Sequence, residues 1–228
     1  SKLLYLTKQG ADSRVSRIEI PIKDSAFEYE LSAIYEEAYQ LEFADEIENG
    51  SWMPINFMIE PGVIEMTLYP QDRHNENKLK GGAALTQIYL GYKEKTDSLF
   101  NFRALEKRRA ELPNRGLTDE AYNIIQKAMK EENKQAKDSP YSKFQALEKA
   151  RVIHSKAYQD IENVYRNLYS EFIKWETDYV KNNASLYGYS ILLRKMRRAV
   201  KSENKDFPQY MDIANTIYKP KYPNHPYT

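Results

Sequence analysis

The sequence predicts an α+β fold: an N-terminal antiparallel β-sheet or sandwich-like layer followed by a C-terminal helical region. Three observations predict it. Up to about residue 70, short apolar runs alternate with period two and are separated by turn residues. After Gly81-Gly82 the apolar residues recur at spacings of three and four. The chain has 228 residues, 41% hydrophobic and 29% charged, which suffices for a real core without disulfide staples.

The strands are expected as follows. Leu3 to Thr7 is a short apolar run. Val15 to Ile22 alternates, with Val15, Ile18, Ile20 and Ile22 as candidates for one face, and Pro21 suggests a sheet edge or a strand end. Ala26 to Leu31 alternates cleanly, which points Phe27, Tyr29 and Leu31 inward. Tyr39, Leu41 and Phe43 repeat the pattern, and Ile55 to Ile59 is mostly apolar. Glu60-Pro61-Gly62 is a turn signal, and Val63 to Tyr69 reads as the next strand. Such strands at even spacing suggest an antiparallel meander whose alternating face is buried under a second layer. The polar stretch Gln71 to Lys80 reads as a loop.

Four to six helices are expected. Leu85, Ile88, Tyr89 and Tyr92 start the first. Thr118 and Asp119 can cap a second, which carries Tyr122, Ile125 and Met129. Ser139-Pro140 reads as an N-cap followed by proline at the first helical position. The strongest pattern runs from Ile161 through Val164, Tyr165, Leu168, Phe172, Ile173, Trp175 and Tyr179 to Val180, and His154 is expected on a helix with Arg151 and Tyr158 as neighbours. Asn182-Asn183 is the expected stop, and Ser185 can cap the next helix, with Ile191, Leu192, Leu193 and Met196. Phe207 to Ala214 suggests a last short helix. Pro220, Pro223 and Pro226 make the tail read as a linker. The expected division is therefore an antiparallel β domain over 1–80, a helical domain over 81–218 and a Pro-rich linker over 219–228. Trp52 and Trp175 would report on the two halves.

Composition narrows the function classes. The chain has no cysteine, so disulfides and thiolate chemistry are excluded. A net charge of +1 from 34 basic and 33 acidic residues argues against nucleic acid as a partner. No apolar run is long enough to span a membrane. The chain opens directly on a strand pattern, so its N-terminus is expected to be cut and any export signal lost. Nineteen tyrosines are unusual and suit half-buried helix faces.

No catalytic, cofactor-binding or metal-ligating set is assigned. His74 lies in a polar stretch, His225 in the tail, and no carboxylate or second histidine lies four residues from His154 as a metal pair would need. The acid pairs Glu36-Glu37 and Glu131-Glu132 are adjacent, and adjacent helical residues do not face each other. Arg194, Lys195, Arg197, Arg198 and Lys201, with Tyr187 and Tyr189 upstream, form the densest basic cluster; it would suit an acidic partner or RNA, and the plainer reading is the wet face of a helix whose other face holds Leu192, Leu193 and Met196. Asn183-Ala184-Ser185 fits a glycosylation acceptor and equally a helix junction. Gly81-Gly82 lacks the spacing and the following Lys-Ser or Lys-Thr of a phosphate cradle, and marks the passage from strands to helices.

One constellation does resemble a known family. The strand Phe57-Met58-Ile59 ending in Glu60-Pro61-Gly62, a further strand through Val63-Ile64, and the approach Leu79-Lys80-Gly81-Gly82 to a helix together resemble the region called domain of unknown function 4369. Leu4-Tyr5-Leu6, Ser25 to Tyr29, Glu171-Phe172-Ile173 and His225-Pro226-Tyr227 resemble other parts of it, and Ala184 departs from the proline common after that asparagine. The family's region precedes a thioredoxin-like domain of the TlpA/ResA type in envelope proteins of anaerobic Gram-negative bacteria. The resemblance implies a non-catalytic accessory module whose Glu60, Pro61, Gly62, Gly81 and Gly82 are structural. It implies a C-terminal thioredoxin-like domain of the same polypeptide as partner, homodimerisation as a further mode of association, no cofactor, and the periplasmic side of the envelope, lipid-anchored in the intact protein. The alternative is a stand-alone envelope binding protein that recognises its ligand through Tyr158, Tyr165, Tyr169 or Tyr179. A third reading is a hydrolase using His74 or His154.

Overall fold

The computed structural model describes residues 1–12, 15–51, 53–130, 139–202 and 205–228, apart from the side chain of Asn75. Trp52 and the Glu131-Glu132 pair lie outside the described residues. The fold is α+β, an N-terminal antiparallel sheet followed by a helical region. The chain forms two compact units, residues 1–94 with 176–228, and residues 95–175. The change from strands to helices does fall at Gly81, but the unit boundaries fall later, inside two helices.

In the first unit, β1 (Leu3–Lys8), β2 (Ile18–Pro21), β3 (Ala38–Phe43) and β4 (Ile55–Met58) form one antiparallel sheet in the order β2-β1-β3-β4. Pro21 ends the edge strand β2, where its missing N–H costs no ladder bond. The short helix α1 (Ala44–Glu48) follows β3. A second, two-stranded sheet pairs β5 (Ile64–Thr67) with β6 (Lys78–Gly81). Leu4, Leu6, Ile20, Tyr39, Leu41 and Phe57 make the core cluster, and Ile64, Met66 and Leu79 of the hairpin pack against it. Alternation places these residues on one face of each strand.

Several expectations need correction. Ala26 to Leu31 is not a strand; beyond an isolated Lys23–Ala26 bridge it is irregular. Phe27 and Leu31 still pack on the core, whereas Tyr29 is 45% exposed. Period-two alternation needs only an extended chain with a wet side; it does not supply a partner strand. Val15 is 85% exposed, because it precedes β2 in a turn and is out of phase with Ile18, Ile20 and Ile22. The stretch read as loop contains β6, whose only apolar side chain, Leu79, is flanked by Lys78 and Lys80. The opposite face of β1 and β3 is also buried: Thr7, Gln40 and Glu42 are inside together with Tyr5 and Met58.

The helical part begins with α2 (Ala84–Leu99). The second unit holds α3 (Phe102–Ala110), α4 (Asp119–Ala128), α5 (Pro140–Lys149) and most of α6 (Lys156–Asn182). Side chains at the expected caps accept the free N–H groups of these helices: Thr118 from Ala121 and Ser139 from Ser142. Between α5 and α6, Arg151 has φ of 58° and breaks the helix, so His154 lies not on a helix but in a bridge to Leu117. That break and the unforeseen α3 take the number of helices past the four to six expected.

The first unit resumes in α6 and continues with α7 (Leu186–Lys201), capped by Ser185, and α8 (Phe207–Ile213). The tail corrects the linker reading. The helix runs on past Ile213 through a π-turn (Ala214–Tyr218) to Lys221, with Pro220 inside the last turn. The wider i→i+5 turn tolerates a residue that lacks an N–H and crowds the carbonyl before it. From Tyr222 to Thr228 the tail is hydrogen-bonded to β3 and to the residues just before it.

Candidate functional site

The motif residues meet at the start of α2. Gly81, Gly82 and Ala83 offer no side-chain acceptor, so the exposed N–H groups of the first turn need one from elsewhere. Glu60 supplies it. Its carboxylate accepts from the Leu85 N–H at 2.8 Å and from the Thr86 N–H at 2.7 Å. The side chain is buried, and a negative charge at a helix N-terminus is favoured by the aligned peptide dipoles. Burial alone would raise the carboxyl, but the hydrogen bonds from Thr86, Leu85 and Ala83 outweigh it and hold it below the usual glutamate range. Gly62 (φ 121°) allows the chain to turn out of β4, and Gly82 N–H closes onto the Val63 carbonyl at 2.8 Å. A Cβ on Gly82 would meet the Thr86 side chain and come within 3.0 Å of Glu60 Oε1. Glu60, Gly62, Gly81 and Gly82 thus form one turn-and-cap device, with Pro61 in its bend.

A second polar centre lies deeper in the first unit and was not expected from the sequence. Glu176 of α6 is 2% exposed. Its Oε1 accepts from the Tyr92 hydroxyl and from Arg194, both at 2.6 Å, and its Oε2 accepts from Lys195 Nζ at 3.2 Å. Burial would raise the Glu176 carboxyl; the charges of Arg194 and Lys195 and the hydroxyl of Tyr92 overcome this and lower it. Lys195 is lowered because burial outweighs the help of Glu176. The Tyr92 hydroxyl, buried against the carboxylate, is pushed well above the ordinary phenol range. Tyr92 packs edge-on against Tyr179 and Tyr187, and Lys195 Nζ lies 5.4 Å from the Tyr210 ring centroid. The centre is therefore a fully engaged carboxylate between two cations, inside an aromatic wall.

This corrects the wet-face reading of the basic run. Lys195 is 5% exposed and Arg194 is half-buried, and both turn to Glu176; only Arg197, Arg198 and Lys201 face solvent. A sequence signal for the centre existed. Glu176 falls four residues after Phe172 and four before Val180, in the middle of an apolar stripe. Lys195 falls four after Ile191 and four before Ala199. Opposite charges inside two apolar stripes point to a buried pair.

The remaining candidates do not come together. The His154 ring stacks on Tyr158 at 3.9 Å between centroids, and its Nδ1 is buried with no hydrogen-bond partner among the described residues. His74 sits in a 3-10 turn (Gln71–Glu76). Of the four tyrosines proposed as a platform, Tyr158 lies on His154, Tyr165 and Tyr169 stack on each other beside Phe102, and Tyr179 lies on Tyr92. Asn183 donates to the Tyr179 carbonyl at 2.9 Å and Ser185 caps α7, so Asn183-Ala184-Ser185 is a helix junction. Among the described residues, no three His or carboxylate side chains are grouped as metal ligands, and no helix is long and apolar enough to cross a membrane. Comparison with protein families, curated proteins and solved structures returns no match.

Proposed function

We propose that this chain is the accessory N-terminal module of an envelope thiol-disulfide interchange protein, and that it positions or dimerises a thioredoxin-like domain. The observation that carries the reading is the turn-and-cap device. The residues that resemble domain of unknown function 4369 are spread over Glu60 to Gly82 in sequence, and they converge on the start of α2. Their role is architectural: the Glu60 carboxylate is spent on the Leu85 and Thr86 N–H groups. Glu176, another buried carboxylate, is likewise spent on Tyr92, Arg194 and Lys195. A chain without cysteine takes part in thiol exchange only through another domain, where a thiolate attacks a disulfide. On this reading the protein works on the periplasmic side of the envelope, lipid-anchored.

The test starts with the parent reading frame. It is expected to continue into a thioredoxin-like domain with a Cys-x-x-Cys pair. The intact protein and a version lacking residues 1–228 are then compared. Both should reduce a small model disulfide at the same rate, while the intact protein alone should hold its dimer or act on its protein substrate. A reading frame without a Cys-x-x-Cys domain overturns the proposal, as does identical behaviour of the two versions in every assay.

A further inference from the structure

We infer that His225 is an acid-released latch: its neutral imidazole pins the segment from Tyr222 to Thr228 to the start of β3, and protonation of the ring frees it. The inference does not use the accessory-module reading. The segment is a compact turn, with His225 N–H on the Tyr222 carbonyl at 3.1 Å and Thr228 N–H on the His225 carbonyl at 2.8 Å. The ring joins this turn to the residues before β3. Its Nε2 lies 2.9 Å from the Glu36 carbonyl oxygen, and its Nδ1 accepts the Tyr227 N–H at 3.2 Å. A carbonyl oxygen only accepts, so Nε2 carries a proton. An amide N–H only donates, so Nδ1 must be bare. Both conditions hold for one tautomer of the neutral ring and fail for the imidazolium, which would set N–H against N–H.

The next contact depends on that bond. The Tyr227 hydroxyl oxygen accepts the Ala38 N–H at 2.7 Å, at the first residue of β3. With its backbone released from His225, Tyr227 loses the constraint that holds its ring there. Aromatic contacts complete the latch: Tyr35 stands edge-on to His225 at 5.6 Å and Tyr227 at 4.5 Å, and Tyr227 stands edge-on to Tyr189 of α7.

The groups around the ring leave it as the switching element. From the tail these are Tyr222 and Tyr227. From the residues before β3 they are Tyr35, Glu36 and Glu37, and the Glu37 carboxylate is bound to Lys8 of β1 at 2.5 Å. Arg197 of α7 and Tyr39 of β3 act on Tyr227 by charge. Carboxylates change charge in more acid solution than an imidazole does, and phenols, lysine and arginine in more alkaline solution.

The experiment is amide hydrogen exchange by NMR on the whole chain, in steps between about pH 8 and pH 5. Protection of the Tyr227 and Ala38 amides is read against Leu6 and Leu41 in the sheet. In the wild type, protection at Tyr227 and Ala38 should fall roughly tenfold, the worth of about one hydrogen bond, while Leu6 and Leu41 hold. His225→Asn keeps an acceptor near the Nδ1 position that cannot be protonated, so it should remove the pH step. His225→Phe should show low protection at Tyr227 and Ala38 throughout, with the sheet intact. Unchanged protection in the wild type overturns the latch, and so does the same pH step in His225→Asn.

Discussion

The two units of this chain are held together by different kinds of contact. In the first, beside local caps such as Ser185 on α7, polar contacts join residues far apart in sequence: Glu60 to Leu85 and Thr86, Glu176 to Tyr92 and to Arg194, and the Tyr218 hydroxyl to the Val180 carbonyl at 2.6 Å. In the second, each described cap reaches three residues along its own chain: Asn101 to Ala104, Thr118 to Ala121, Ser139 to Ser142 and Ser155 to Tyr158. Apart from the backbone bridge at Leu117 and His154, the longer-range cohesion described in the second unit is aromatic, with Phe100 and Phe102 packed on Phe172. Helix α5 has no buried residue. The lesson concerns cooperativity. A unit closed by long-range polar contacts loses many contacts when one is broken, whereas a unit of locally capped helices can open piece by piece.

The sharpest way to break this contrast is Glu176→Ala. It leaves Arg194 and Lys195 without their counter-charge in the interior, so it should cost about 3–5 kcal/mol in urea unfolding. The matched change in the second unit, Glu162→Ala, removes an exposed i,i+4 pair with Arg166 and should cost about 0.3–0.5 kcal/mol. Equal costs would erase the distinction.

Glu60→Ala ranks next. Losing a charged cap on two buried N–H groups should cost about 2 kcal/mol, and Glu60→Gln should recover part of it. Thr118→Ala, a local neutral cap, should cost about 1 kcal/mol. Circular dichroism melts of the three variants rank them directly.

Acid then separates the units further. The Glu176 carboxyl is lowered on folding, so its stabilisation is present above the unfolded carboxyl range and is lost as pH falls through the folded value. Glu176→Gln should therefore flatten the acid side of the stability curve. Alkali acts through Tyr227, whose hydroxyl burial raises to about 12 from an ordinary 10.0. A raised phenol stabilises fully below its unfolded value, and that contribution disappears as pH climbs from 10.0 to about 12. Tyr227→Phe should lose the share of this alkaline fall that belongs to Tyr227 and keep the share of the other raised hydroxyls, those of Tyr92, Tyr187 and Tyr218. The smallest effect belongs to Val164→Ser at a site 51% exposed, within about 0.5 kcal/mol.

What was legible in the sequence follows the same division. The caps Thr118, Ser139 and Ser185 could be read because cap and partner lie within one turn and the residue types are distinctive. Pro21 announced an edge strand because its chemistry forbids a central one. The role of Glu60 could not be read, since its partners lie 25 and 26 residues away. The alternation over Ala26 to Leu31 misled because extended chain and paired strand share a period. Pro220 misled because a π-turn, which leaves no compositional trace, absorbs it. Glu176 and Lys195 stood in view inside apolar stripes, but the pairing needed two helices to be placed together.

Hydrogen exchange followed by mass spectrometry, in wild type and Glu176→Gln, tests the division most directly. In the wild type the account predicts slowest exchange in β1, β3 and α7 and much faster exchange in α5. In Glu176→Gln, protection should fall together across β1, β3 and α7 while α3, α4 and α5 keep their wild-type rates. Protection of α5 equal to that of α7, or a uniform loss across both units in the variant, would contradict it.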